Sequence, residues 1–246
     1  MSFDVDVRRR LGDTAIAAGF KAHGGLTALF GPSGVGKTSV LNMIAGLLRP
    51  DSGHIIVDGD ILFDAGADID AAPEKRRLGY VFQDARLFPH RRVKANLLYG
   101  HRLAAPGDRW MSLDEAVDFL GIGHLLDRWP QTLSGGEAQR VAIGRALLSG
   151  ARCLLMDEPL SSLDAPRRAE IMRVIERIRD DLRLPILYVS HDRTEIDRLA
   201  TTVIPLNQAV VRKPVATQTL NGKTAHEDRR MQPSDWPRLG ALSRRS

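Results

Sequence analysis

Eight consecutive residues constrain this chain more than any others: Gly31-Pro32-Ser33-Gly34-Val35-Gly36-Lys37-Thr38. They fit G-x-x-x-x-G-K-[ST], the pattern of a loop that wraps phosphate. Leu26 to Phe30 is a short apolar run before them. Val40, Leu41, Met43, Ile44, Leu47 and Leu48 recur at helical spacing after them. Strand, glycine-rich loop and helix form the arrangement this motif needs. The glycines let successive N–H groups turn toward phosphate oxygens, and the helix N-terminus adds partial positive charge. Lys37 is expected to reach the β- and γ-phosphates of a nucleoside triphosphate, and Thr38 to ligate Mg²⁺.

The chain has 246 residues, enough for one large domain or two small ones. Its single cysteine, Cys153, excludes a disulfide framework and a cysteine-based metal cluster, and fits a reducing, cytosolic setting. No apolar run approaches the roughly 18 residues of a membrane span. The N-terminus places acids before arginines and lacks an apolar core, unlike a signal peptide. The net charge is +5, but residues 207–246 hold eight Lys/Arg against three Asp/Glu, which is the whole excess. A neutral body with a basic tail argues against a dedicated nucleic-acid binder.

Phe3, Val5 and Val7 alternate, and Ala15 to Phe20 suits a hairpin partner. His54 to Val57, Asp58-Gly59 and Ile61 to Phe63 give a second hairpin signal. Arg77 to Phe82 reads as a core strand ending at Gln83. Residues 84–150 change character: Val93 to Leu103, Ser112 to Leu120 and Ile122 to Trp129 all predict helices, with Ser112 and Glu115 forming a capping box. This predicts a helical subdomain inserted in an α/β body. Leu133 to Glu137 closes it and opens another helix. Cys153 to Met156 is a buried strand ending in Asp157-Glu158. Asp164 caps a helix with Pro166 in its first turn. Pro185 to Ser190 is a further strand delivering His191, and Thr202 to Leu206 suits a last one.

A phosphate loop needs an acid to hold Mg²⁺, and Asp157 at a strand end can stand beside Thr38. Glu158, next in an extended chain, points elsewhere and can orient water. The bland alternative for the two acids is a helix cap. Ser134-Gly135-Gly136 opens a helix and so offers a second anion-binding terminus, or else an ordinary glycine turn. One nucleotide cannot easily use both termini of one chain, which favours a head-to-tail homodimer. Gln83 can touch Mg²⁺ or the attacking water, or be a solvated loop residue. His191 can reach the γ-phosphate, or be structural, as His54, His90, His101, His124 and His226 are read to be.

In this order the motifs resemble those of the ATP-binding cassette family over residues 3–206. They are Gly31 to Thr38 (Walker A), Gln83 (Q-loop), Leu133 to Glu137 (signature), Leu154 to Glu158 (Walker B), Ser162-Leu163-Asp164 (D-loop) and His191 (switch histidine). The resemblance implies an α/β fold: a P-loop NTPase core with an inserted helical subdomain and a small antiparallel β subdomain. It implies ATP and Mg²⁺ as ligands. Glu158, His191, Lys37 and Gln83 would be catalytic, and Thr38, Gln83 and Asp157 would serve the metal. The nucleotide would be held by Gly31, Pro32, Ser33, Gly34, Val35, Gly36, Lys37, Thr38 and Ser39, with Ser134, Gly135, Gly136, Glu137 and Asp164 facing it across a dimer.

Ala72 to His90, Leu125 to Arg128 and Ile186 to His191 look like the ATPase subunits of molybdate importers. That implies two integral-membrane permease subunits docking on Asp84 to Arg92, a periplasmic solute-binding protein, and a peripheral position on the cytoplasmic face of the bacterial inner membrane. Another oxyanion such as tungstate or sulfate, or another solute, is the alternative. A soluble cassette acting on DNA or ribosomes is a third, without the coiled coil, zinc cysteines or second cassette such proteins carry. Two features depart from the pattern. No aromatic residue stands near Leu11-Gly12 to stack on adenine, leaving Phe3 and Phe20 as substitutes. Residues 207–246 read as a basic disordered tail, too poor in apolar side chains for the C-terminal oxyanion-binding domain of such ATPases.

Overall fold

In the computed structural model, residues 2–206 are described; the readings made for residues 207–246 fall outside them. Two five-stranded sheets organise these residues. The first is antiparallel, in the order β2 (Thr14–Ala22), β1 (Phe3–Leu11), β4 (Ser52–Val57), β5 (Asp60–Asp64), β6 (Ile69–Asp70). The second is parallel, in the order β10 (Thr202–Pro205), β3 (Leu26–Phe30), β9 (Ile186–Ser190), β8 (Cys153–Asp157), β7 (Leu78–Val81). Both expected hairpins form, β1 with β2 and β4 with β5.

Strands β8 and β9 are buried at every position, as parallel strands covered on both faces must be. Their two-residue period divides the core. Leu154, Met156, Ile186 and Tyr188 point to one face, with Leu26 and Ala28 of β3. On this face pack α2 (Val93–Leu103), α3 (Leu113–Leu120), α4 (Gly135–Leu148) and α5 (Ala165–Asp180). Cys153, Leu155, Leu187 and Val189 point to the other, where α1 (Lys37–Ala45) and the antiparallel sheet contribute Leu41, Ile44, Val5 and Val7. The sixth helix, α6 (Arg193–Leu199), follows β9. No helix of the described residues is long and apolar enough to cross a membrane.

Several local expectations change. The run Ile122 to Trp129 contains only a short 3₁₀ turn, Gly123–Leu125. Gly121 at φ 65° ends α3, and Ile122 and Leu125 are buried without a helix around them. Burial alone, not helical periodicity, placed those apolar residues. The strand before Gln83 is Leu78–Val81, because Arg77 sits at φ 53° and breaks the extended run. Helix α1 ends at Ala45, capped by Gly46 at φ 81°, so Leu47 is outside the helix and exposed.

Beneath this C-cap lies a buried arginine. The Arg76 side chain is 1 % exposed and donates to the carbonyls of Met43 and Ile44 at 2.9 Å each, to Ala71 O at 2.7 Å and to Asp70 Oδ1 at 2.9 Å. It thus satisfies the Ile44 carbonyl, which the helix C-terminus leaves orphaned, joins the Gly46 N–H on Met43 O, and brings positive charge to the negative end of the dipole. A Cβ on Gly46 would stand 2.6 Å from Arg76 Nε, so glycine is required there by space as well as by φ. Arg76→Met keeps most of the stem and removes the donors. It is expected to cost about 1–3 kcal/mol by stranding those acceptors, read as a lower urea midpoint at unchanged m. An unchanged midpoint would show that the cap contributes nothing net.

Candidate active site

The loop after β3 turns through Gly34 at φ 80° and Gly36 at φ 101°, values that L side chains rarely adopt. A Cβ on Gly36 would meet Ile16 Cγ2 at 2.9 Å, so β2 presses on the loop from outside. Leu206 N donates to Phe30 O at 2.7 Å and holds the other flank. The loop borders an open cleft of about 240 Å³, lined by Ile16, Ser33, Gly34, Gly36, Lys37, Thr38, Ser39 and Glu158. Helix α1 begins at Lys37, so its first turn forms part of this wall and its dipole favours an anion there. Lys37 is 5 % exposed, and its Nζ donates to the carbonyls of Gly31 at 2.7 Å and Pro32 at 2.9 Å. Val35 contributes to the second core rather than to the pocket wall.

Thr38 Oγ1 donates to Asp157 Oδ1 at 2.9 Å, joining the start of α1 to the end of β8. Burial pushes the Asp157 carboxyl up from the ordinary range, the nearby Glu158 charge adds to this, and the Thr38 hydrogen bond opposes it. Tyr80 Oη donates to Asn42 Oδ1 at 3.1 Å and lies 3.5 Å from Asp157 Oδ2. A hydroxyl and a carboxylate oxygen this close, one of them carrying desolvated charge, are the hard donors that Mg²⁺ takes when phosphates complete its shell. The residues therefore fit the ion.

Glu158 reaches the pocket by a route that strand alternation does not anticipate. Its backbone turns to φ 44°, and its N–H donates to Val189 O at 3.0 Å. Glu158 Oε2 lies 3.1 Å from His191 Nδ1. His191 follows β9, and β9 pairs with β8, so the two strands deliver the two side chains side by side.

Asp157 and His191 stand beside the pocket, through Thr38 and Glu158, rather than in its lining, and the remaining sequence candidates lie outside it as well. Gln83 is exposed in the turn after β7. Ser134 caps α4 in a reciprocal box: its N donates to Glu137 Oε2 at 2.7 Å, and its Oγ accepts from Glu137 N at 3.4 Å. The Glu137 carboxylate is thus engaged in capping, and its pKa is held down chiefly by that Ser134 N–H. Asp164 caps α5, accepting from Arg167 N and Arg167 Nη1 at 3.0 Å each. The start of α4 rests on the start of α5, since a Cβ on Gly135 would touch Leu163 and one on Gly136 would touch Arg167.

Phe3 and Phe20, the substitutes for an adenine-stacking residue, are core residues, 1 % and 8 % exposed. They are filled against α1 and the antiparallel sheet and offer no ring to a base. The apolar residue that does line the pocket is Ile16, which sequence reading passed over together with Asn42 and Tyr80. Alternation with Ala18 and Phe20 marks Ile16 as inward-facing, but nothing local marks it as the neighbour of Gly36.

The raised Asp157 pKa ties folding to pH. The folded state holds this proton more tightly than the unfolded chain, so the carboxylate opposes folding above its raised pKa, and that cost is removed as pH falls through it. Asp157→Asn retains an oxygen for Thr38 and removes the charge at all pH values. Without nucleotide or metal it is expected to raise the thermal midpoint at pH 7 by a few degrees, the shift that about 1 kcal/mol produces in a domain of this size. A midpoint at or below the parent's would show that the charge is not a cost.

The chain matches known proteins in sequence and in fold. The Molybdenum import ATP-binding protein ModC of Mesorhizobium japonicum is 56 % identical over 211 residues, which cover 86 % of this chain and 57 % of that protein. The protein of the same name from Brucella melitensis is 59 % identical over 207 residues, 82 % of this chain and 56 % of its own. The chain therefore spans less than two thirds of the length of these relatives. Among solved structures, cbiO1 from Clostridium perfringens, part of the ABC transporter complex cbiONQ, aligns with a TM-score of 0.69 at 28 % identity, covering 85 % of this chain and 86 % of that one. The dimeric ATP-binding cassette MJ0796 bound to ADP and Pi gives 0.66 at 25 % identity, covering 84 % and 94 %. The family pattern described as ABC transporter matches residues 21–161, more than half of the sequence, and the chain belongs to that family.

Proposed function

We propose that this chain is the ATP-hydrolysing subunit of a membrane importer whose solute is molybdate. The observation that supports the chemistry is one pocket lined by Lys37, Thr38 and Glu158, with Asp157 hydrogen-bonded to Thr38 and His191 in contact with Glu158, all delivered from three adjacent strand ends. The solute rests on the relatives, whose name describes molybdenum import.

Phosphoryl transfer to water needs positioning and charge stabilisation more than covalent help. Lys37 and the first turn of α1 hold the phosphates. Thr38 Oγ1 and Asp157, with Gln83 on closure, would hold Mg²⁺, which would supply positive charge against the phosphates. Glu158 orients the water. His191, steadied through Nδ1 by Glu158, keeps Nε2 for the terminal phosphate.

The functional unit is a head-to-tail homodimer in which Ser134, Gly135, Gly136 and Asp164 of one chain complete the site of the other. The solved cassettes with this fold include ones described as dimeric. In the capping box the Ser134 hydroxyl accepts, which leaves its proton free for a phosphate oxygen. Residues 1–206 form the ATPase domain and about 84–150 its helical subdomain.

Asp84 to Arg92 is the docking segment for two permease subunits. Ala85 and Arg86 adopt positive φ, and Arg145 donates to both their carbonyls at 3.0 and 2.7 Å, which makes an irregular surface segment rigid. Arg86 lies 4.1 Å over the Phe82 ring and extends that surface. With a periplasmic binding protein delivering solute, the ATPase sits peripherally on the cytoplasmic face of the inner membrane.

Glu158→Gln is expected to bind ATP, hydrolyse it roughly 100-fold or more slowly, and accumulate as a dimer in size-exclusion chromatography. Lys37→Ala is expected to lose nucleotide binding. Turnover at the parent rate by Glu158→Gln would overturn the assignment. Mixing inactive Lys37→Ala and Ser134→Arg chains places both lesions in one composite site and leaves the other whole, so part of the ATPase activity returns. Parent activity of Ser134→Arg alone would exclude the composite site. The transport reading is tested with the copurified permease in vesicles: periplasmic molybdate with its binding protein stimulates ATPase activity, and stimulation by sulfate instead would reassign the solute.

A further inference from the structure

Glu158 and His191 are joined by one contact, yet the loops that carry them leave different strands. What holds the two loops together is a side chain no motif includes. Arg168, in the first turn of α5, donates through Nη2 to Leu163 O at 3.4 Å and through Nη1 to Asp192 Oδ2 at 3.1 Å. Leu163 belongs to the loop that leaves Glu158, whose carbonyl accepts from Ser161 N at 3.2 Å and Ser161 Oγ at 3.0 Å. Asp192 directly follows His191.

Beneath this bridge lies a buried acid. Glu195 is 4 % exposed, and its Oε2 accepts from Tyr188 Oη at 2.7 Å and Ser190 Oγ at 2.8 Å. Ser190 Oγ in turn accepts from Asp192 N at 3.0 Å, so the residues flanking His191 are fixed from below. The charge facing Glu195 is again Arg168, whose Nε is buried, lacks a hydrogen-bond acceptor and stands 3.8 Å from Glu195 Oε1. Contacts and the chain together close a ring: Glu158 to Ser161, along the chain to Leu163, then Arg168, Asp192, and through the adjoining His191 back to Glu158.

We propose that Arg168 is a positioning residue for hydrolysis, fixing the Glu158–His191 pair by bracing the two loops that carry it. A planar guanidinium suits this task because it donates in two directions at once, which an ammonium on one flexible stem does not. The proposal rests on the reading of Glu158 and His191 as the hydrolytic pair. The ring touches the phosphate pocket only through Glu158, so ATP binding is expected to survive its loss while turnover is not.

Arg168→Leu alone strands the buried Glu195 charge and confounds stability with mechanism. Arg168→Leu/Glu195→Gln removes both charges and keeps an acceptor for Tyr188 and Ser190. Thermal melting, ATPase kinetics and a cycle with Glu158→Gln are measured on the full chain. The double variant is expected to melt near the parent, keep KM for ATP within about two-fold, and lose on the order of 10- to 100-fold in kcat, as misplacement of a reacting group does. In the Glu158→Gln background the same pair of changes is expected to cause no further loss, because the brace acts through Glu158. Parent kcat in the double variant, or an equal further loss in the Glu158→Gln background, would overturn the proposal and leave the functional reading standing. Parent turnover by Glu158→Gln itself would instead remove that reading, and the positioning role with it.

Discussion

Strands β3, β9 and β8 hydrogen-bond in parallel, with Phe30 opposite Ser190 and Asp157 opposite Val189. Everything chemical in the molecule depends on this pairing. Parallel strands bring their C-terminal ends to one edge, and the residues beyond those ends become neighbours however distant in sequence. The phosphate loop leaves β3, Glu158 leaves β8 and His191 leaves β9, so three loops meet over one pocket. The burial of β8 and β9 on both faces makes the edge stiff, because neither strand can slide without moving both cores.

On that edge the protein keeps groups that oppose its own stability. Asp157 is desolvated beside another carboxylate, and Glu158 sits in left-handed backbone. Both are local costs of the kind that sites of chemistry carry at the expense of stability. The cost is carried by the two cores and by buried polar braces such as Arg76 under α1 and Glu195 under the His191 turn. These braces fix the ends of elements, which is where apolar packing gives out and where the functional residues sit.

Much of this was legible along the chain. Continuous apolar runs ending in Gly31, Asp157 and His191 give the central strands, and spacing gives the helix after the loop. The failures share a cause. Ile122 and Leu125 have the periodicity of a helix and the burial of a loop; Leu47 continues a helical stripe past its terminating glycine; Phe3 and Phe20 look available to a base and are packed inside. In each case the local pattern reports that a residue is apolar, while its neighbours are fixed by elements tens of residues away.

The sequence by itself determined the family, the phosphate loop, the acids after β8 and the histidine after β9, because these depend on residue type at short spacing. Only the tertiary structure decided that Glu158 turns back toward the pocket, that Ile16 presses on Gly36, that Arg76 lies beneath the C-cap of α1, and that Arg168 spans the loops of Glu158 and His191. Those contacts join positions whose separation along the chain carries no periodic signal. They exist because sheet register and helix packing set the distances, and a side chain of the right length and charge happens to span them.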